Sequence, residues 1–342
     1  MLRPLLFLLL LVVFALGPSN VIAQTPDDPD EVIRVETDVT NLPFTALDKQ
    51  NRFITTLRQE DIRVFEDGVP QELFTFQRET DRPLALALLI DVSESEQRTL
   101  PAEKAAARSF IETVIQSRKD QAAVIPFTGS AFLEQPLTRD VLGIYRALER
   151  VEVAMPAYLG SGRALSGIVT GPGTKRAPRE GSTAIWDAIA LTASQVLTQS
   201  GALGQSRRRA IILLTDGQDT SSVLEIDQAI DRALAAETVI YAIGIGDSKY
   251  QGIDRGSLRT VAERTGGRAF FPKKEEDLRE VFREIERELR TQYLIAYSSS
   301  NKKRDGAYRQ MRIDVVNPEL KKDRVTLRHR PGYFAKASAV NR

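Results

Sequence analysis

Residues 88–97 read LLIDVSESEQ, and the seven residues 84–90, LALALLI, are apolar without a break. A strand with one face in water alternates apolar and polar residues, so an unbroken apolar run points to a strand of a parallel sheet buried on both faces. Such a sheet binds ligands at the carboxyl ends of its strands, near the point where strand order reverses. This run ends in Asp91, Ser93 and Ser95, three oxygen-bearing side chains at every second position. The fold and the first candidate site are therefore read from the same ten residues.

Outward from this strand the same texture repeats. Strands are predicted at Leu84 to Val92, Gln121 to Thr128, Arg209 to Leu214, Val239 to Ile245 and Gly267 to Phe271. Helical periodicity lies between them, near 101–117, 139–151, 183–199, 224–236, 256–264 and 276–290. Alternating strands and helices make residues 84–290 an α/β domain with a doubly wound, mostly parallel sheet, Rossmann-like in layout. Residues 152–182 lack periodicity and are rich in Gly, Pro and small side chains, which predicts a long functional or inserted loop.

The flanks differ. Residues 32–80 alternate apolar and polar positions with many β-branched side chains, and Asp67-Gly68 predicts a hairpin turn between Ile62–Phe65 and Leu73–Phe76. β texture returns over 292–336 in TQYLIAYSSS, YRQMRIDVV and VTLRHRPGYF. Each flank alone has too few strands to hide an apolar face. The two are therefore expected to pair into one β-sandwich, with the α/β domain inserted between them.

Residues 1–23 carry one charge, Arg3, then an apolar block from Leu5 to Leu16 and a small-residue end at Ala23. This predicts a signal peptide cleaved after Ala23, and the block is shorter than a membrane span requires. Residues 24–31 are acidic and carry prolines, and read as a flexible lead-in. The expected location is secreted or periplasmic, in the cell envelope, with no integral membrane segment after cleavage. There are no cysteines, which excludes disulfides and thiolate metal sites. The chain holds 47 basic and 46 acidic residues, a balance that argues against nucleic acid as partner. The single histidine, His329, sits in the strand-like TLRHRP and is read as a solvated strand residue, which argues against Ser-His-Asp machinery, and the lack of cysteine excludes a Cys-His pair.

Two further oxygen-rich turns fall where ligands would converge with Asp91. Thr183, in GSTAIWDAI, opens a predicted helix, and Asp216, in ILLTDGQDT, closes a predicted strand. A single helix cap would explain one such residue, but not five spread over three turns. Two carboxylates and three hydroxyls are hard donors suited to Mg2+, Mn2+ or Ca2+, and they only neutralise a divalent ion. The ion would still attract an anionic oxygen from outside. Asp187 is read as a helix-dipole residue and Asp219 as a turn residue. The basic runs Arg207–Arg209 and Lys302–Arg304 are read as solvated strand edges.

The order Asp91-Val92-Ser93-Glu94-Ser95, a Gly-Ser-Thr helix start at Thr183 and a Thr-Asp-Gly turn at Asp216 resembles the von Willebrand factor type A domain with its metal-ion-dependent adhesion site. The resemblance implies that Ser93, Ser95 and Thr183 ligate the ion, with Asp91 and Asp216 binding it directly or through water. LRQEDIRVFEDGVPQELFTFQRE and RHRPGYF also resemble exported bacterial proteins that set such a domain in β-rich flanks. The function expected is a metal-dependent protein-binding module, for adhesion or assembly, that captures an Asp or Glu of a partner. The alternatives are an envelope assembly protein with a structural metal and, less favoured, a Mg2+-dependent phosphatase. The phosphatase chemistry wants a second acid two residues after Asp91, where this chain has Ser93.

Overall fold

The computed structural model describes residues 39–78, 82–116, 118–153, 163–165, 182–201, 207–246 and 252–337. The expected signal peptide, the lead-in and most of the 152–182 loop lie outside the described residues.

The chain begins with β1 (Val39–Leu47), β2 (Ile62–Glu66), β3 (Val69–Pro70) and β4 (Leu73–Arg78). It continues through β5 (Leu84–Asp91), α1 (Leu100–Val114), β6 (Gln121–Phe127), β7 (Phe132–Leu133), β8 (Gln135–Thr138) and α2 (Val141–Arg150). Next come β9 (Arg163–Ala164), α3 (Ile185–Leu191), β10 (Arg208–Thr215), α4 (Ile226–Ala235), β11 (Thr238–Gly244) and α5 (Arg255–Thr265). The order closes with β12 (Ala269–Phe270), α6 (Glu275–Thr291), β13 (Tyr293–Ser298), β14 (Tyr308–Val315), α7 (Pro318–Lys322), β15 (Thr326–His329) and β16 (Gly332–Phe334).

The central sheet has the order β12-β11-β10-β5-β6-β8, with β8 antiparallel at one edge and the other neighbours parallel. β5 is buried at all eight positions. Its side chains divide by parity, as a pleated strand requires. Leu84, Leu86, Leu88 and Ile90 join the core shared with α1 and α6, whereas Ala85, Ala87 and Leu89 join the core shared with α3, α4 and α5. The uninterrupted apolar run is thus the signature of two helical layers. Because the chain leaves β5 toward β6 and later returns to pair β10 on its other side, strand order reverses beside β5.

The flanks pair as expected into two four-stranded sheets, β15-β1-β13-β4 and β16-β14-β2-β3. β1 lies between β13 and β15, so front and back strands alternate in the first sheet, and they join through the β2–β14 pair in the second. Leu42, Phe44, Ile62, Val64, Tyr293, Ile295 and Ile313 fill the space between them. The buried carboxylate of Glu66 accepts hydrogen bonds from the hydroxyls of Tyr297, Ser299 and Tyr333. Three donors offset what burying an unpaired acid would cost.

One detail of the expected hairpin is corrected. Asp67 and Gly68 do turn with positive φ (48° and 80°), but β2 pairs with β3 at Val69–Pro70, not with Leu73–Phe76. Pro70 has no N–H to continue the ladder, so the hairpin stops there. The chain crosses to the other sheet, where β4 pairs with β13 from Tyr293↔Arg78 onward. Among the described residues no helix is long and apolar enough to cross a membrane.

Tyr293 ties these layers together. Its ring stacks on Phe44 with centroids 5.2 Å apart, and its hydroxyl accepts from the buried Leu57 N–H at 3.0 Å. Tyr293→Phe keeps the ring but orphans that donor, so urea denaturation should show a loss of about 1–3 kcal/mol. No measurable loss would mean that the Leu57 N–H has another acceptor.

Candidate metal centre

Asp91 is the last residue of β5, and Asp216 directly follows β10. The parallel register sets Ile90 opposite Leu214, so the two strands end at the same level. Thr215 fastens the ends, its hydroxyl donating to Asp91 Oδ2 at 2.6 Å. The Thr215 hydroxyl oxygen in turn accepts the Gly217 N–H at 3.1 Å. Gly217 has φ 84°, and a Cβ there would lie 3.1 Å from the Asp254 carbonyl oxygen and 3.0 Å from the Leu258 side chain. Only glycine lets the chain turn so sharply behind Asp216.

Asp91 Oδ1 accepts the Ser93 N–H at 3.0 Å, which brings the serine loop back over the strand end. The Ser93 and Ser95 hydroxyls lie 3.0 Å apart, and Ser95 hydrogen-bonds to Asp216. Direct bonds thus join four of the five residues singled out by sequence. Thr183 is tied in through the segment that follows Asp216: its N–H donates to Thr220 Oγ1 at 2.8 Å, and its carbonyl accepts from Thr220 and Ser221. Ser95 is the exposed member, while Asp91, Ser93, Thr183 and Asp216 are buried, so the cluster opens to solvent at Ser95.

Asp187 lies in the first turn of α3 and Asp219 accepts the Ser222 N–H and hydroxyl within its own turn, as expected, and each has a further task. Asp219 Oδ1 accepts the Ile185 N–H at 2.7 Å and so caps α3 from another loop. Asp187 also accepts the N–H groups of Val223 and Leu224, at 3.0 and 2.9 Å. The pair locks the loop after Asp216 against the helix after Thr183.

Sequence reasoning missed two acids. Glu96 is fully buried, and oxygens of Asp91, Glu96 and Asp216 lie within 4.8 Å of one another. Thr99 donates to Glu96 Oε2 at 2.6 Å, while Glu96 Oε1 has no hydrogen-bond partner. Glu103 is also buried, on the face of α1 that carries Leu100, Ala107 and Phe110. An acid on the apolar stripe of a helix was the available signal. Burial pushes the Asp91 carboxyl up to about 6. Burial, then the charge of Glu103, drives Glu96 far above the usual carboxylate range, and burial raises Glu103 as well. Asp216 is raised by burial.

Two family models described as von Willebrand factor type A domain match residues 86–218 and 174–284. This chain carries a von Willebrand factor type A domain. No curated protein matches it. Among solved structures, proximal thread matrix protein 1 from the mussel byssus is similar at 17% identity, over 66% of this chain and 51% of that one, with a TM-score of 0.48. This chain therefore spans about half the length of the mussel protein. A form of that protein is described with a zinc-occupied MIDAS motif. A von Willebrand factor type A protein from Catenulispora acidiphila is 15% identical over 81% of this chain and 76% of its own, with a TM-score of 0.46. The conserved hypothetical protein BatB from Bacteroides thetaiotaomicron is 18% identical over 60% of this chain and 98% of its own, with a TM-score of 0.41.

The buried acids of the type A domain give a pH signature without metal. Their folded forms keep protons that the unfolded chain, with ordinary carboxylates near pH 4, has already lost. Stability in chelator should therefore fall as pH rises from about 5 to about 8, by up to ~1.4 kcal/mol per pH unit per retained proton. Thermal melts would show this slope, and Glu96→Gln should flatten it. A profile with no slope would refute the assignment.

Proposed function

We propose that this protein is an exported, non-enzymatic binding module of the cell envelope, in which a divalent cation captures an acidic side chain of a protein partner for adhesion or assembly. The ion would be held by Asp91, Ser93, Ser95, Thr183 and Asp216. Mg2+ is the favoured ion, with Mn2+ or Ca2+ able to take its place. The observation that carries the reading is the meeting of Asp91, Ser93, Ser95 and Asp216 where β5 and β10 end together, at a cluster open on the Ser95 side.

The donor set fits such an ion. Every donor is oxygen, and the partnerless Oε1 of Glu96 lies beside the two aspartates. A cation would offset the burial, and the weaker mutual repulsion, that raise these carboxyls toward their neutral forms. Glu96 is shielded on the inner side, whereas Ser95 faces outward, so a partner's acid would approach past Ser95. There it would add the anionic oxygen that two aspartates and three hydroxyls leave room for. An amide in its place would forgo that attraction.

Calorimetry should find one divalent ion per chain in wild type and none in the Asp91→Ala, Asp216→Ala double variant. Equal uptake by both would place the metal elsewhere. Zn2+ belongs in the titration series because the mussel protein is described with zinc in its motif. A pull-down from envelope extract should recover a partner in Mg2+ and lose it in EDTA. Exchanging the partner's key acid for its amide should cost on the order of 2–5 kcal/mol in a desolvated site. Binding that persists undiminished in EDTA would sink the cation bridge.

A further inference from the structure

The opposite end of the sheet carries a second concentration of charge, of the other sign. β10 spans eight residues, which sets its first residue, Arg208, roughly 23 Å from the strand end that bears the aspartates. A cavity at this far end is lined by Arg82, Arg207, Arg208, Arg209 and Arg330. It adjoins a groove with which it shares Asn41, Arg209, Leu234, Glu237 and Arg330. The groove runs outward over Lys302, Lys303, Arg304 and Lys336. Glu237 is the sole acid among the described residues lining either. So many cations against one acid is far from the balance of the chain as a whole.

Part of this charge has a structural task. Helix and loop carbonyls end here, and four of the five arginines serve one: Arg207 Nη1 donates to Lys119 O, Arg208 Nη1 to Leu289 O, Arg209 Nη1 to Ala236 O and Arg330 Nη2 to Asn41 O. That task leaves donors over. Arg207 was read from sequence as a solvated strand edge, yet it is only 5% exposed, and its Nε and Nη2 are buried without a partner. Nε and Nη2 form the side of the guanidinium that grips two oxygens of one anion at once. Arg330, 7% exposed, also has a buried Nε without a partner. A buried guanidinium cannot shed its proton to escape the cost of burial, so an unused bidentate edge on a residue that lines a cavity calls for an oxyanion.

We infer that this cavity and groove form a binding site for a phosphate-bearing polyanion, with one phosphate on the Arg207 edge beside Arg330 and the rest of the chain along Lys302, Lys303, Arg304 and Lys336. Arginines converging from several strands and loops match the tetrahedral oxygens of phosphate better than the flat pair of a carboxylate. The lysines outside act as point charges along an extended ligand, where fixed geometry matters less. This site is independent of the metal-binding reading.

The test uses the full chain in EDTA, at constant ionic strength, titrated with inorganic phosphate, linear polyphosphate and poly-glutamate. Saturable phosphate binding is expected, about tenfold tighter for polyphosphate, with poly-glutamate weaker than either. Arg207→Lys keeps the charge and loses the bidentate edge, so it should weaken phosphate binding by about tenfold. The exposed triple variant Lys302→Gln, Lys303→Gln, Arg304→Gln should retain phosphate and lose the polyphosphate gain; should Arg207→Lys fail to fold, this variant carries the test. The inference is overturned by no saturable phosphate uptake, by poly-glutamate binding as tightly as polyphosphate, or by a triple variant indistinguishable from wild type.

Discussion

The shared level at which β5 and β10 end is the constraint on which the candidate site depends. It is fixed by parallel register and clasped by the hydroxyl of Thr215 on Asp91. A slip of one residue would turn Asp91 to the opposite face of the sheet and leave Thr215 facing a helix layer. The register in turn is enforced by two apolar cores that sort the residues of β5 by parity. Packing in the middle of the sheet therefore places oxygen atoms at its end. The glycine turn behind Asp216 and the reciprocal grip of Asp187 and Asp219 then hold the loops that finish the cluster.

The two ends of the same sheet are chemically opposite. At the carboxyl end, acids gather and are raised toward their neutral forms by burial. At the other end, arginines gather around carbonyls where helices and loops finish. The polarity follows from the doubly wound architecture, in which helices run antiparallel to the strands they cover. Helix amino ends, with free N–H groups, face the strand ends that bear Asp91 and Asp216, and helix carboxyl ends face the arginines. The fold supplies a field, and the side chains at each end answer it with opposite charge.

What was legible in sequence had a local pattern. The unbroken LALALLI run marked the central strand, helical periodicity marked the covering layers, and alternation marked the sandwich strands. Asp91, Ser93, Ser95 and Asp216 were legible because each stands at the boundary of such a pattern. Glu96 and Glu103 were not, because an acid beside a serine loop or on a helix looks solvated until tertiary packing covers it. Arg207 was misread for the same reason: a basic run before a strand gives no sign that the chain will bury it. The partner of β2 was misread because Asp67-Gly68 fixes a turn but not how far the ladder runs beyond it, and Pro70 ends it after two residues.

The interleaving of front and back strands sets an order of events in synthesis. Glu66 and the tyrosine that caps it, Tyr297, lie 231 positions apart, and β1 finds both its neighbours only in the last part of the chain. Until β13 and β14 leave the ribosome, β1 and β4 lack a ladder partner and β2 has only the short β3, which leaves apolar faces and open edges of the kind on which chains aggregate. The α/β insert, whose sheet pairs only its own strands, can be complete before then. Once it is, it brings Arg78 and Tyr293 side by side and removes most of the loop-closure entropy that the sandwich would otherwise pay. The insert thus acts as a template for its own host, and slow folding of the insert lengthens the exposure of the strands that wait for it.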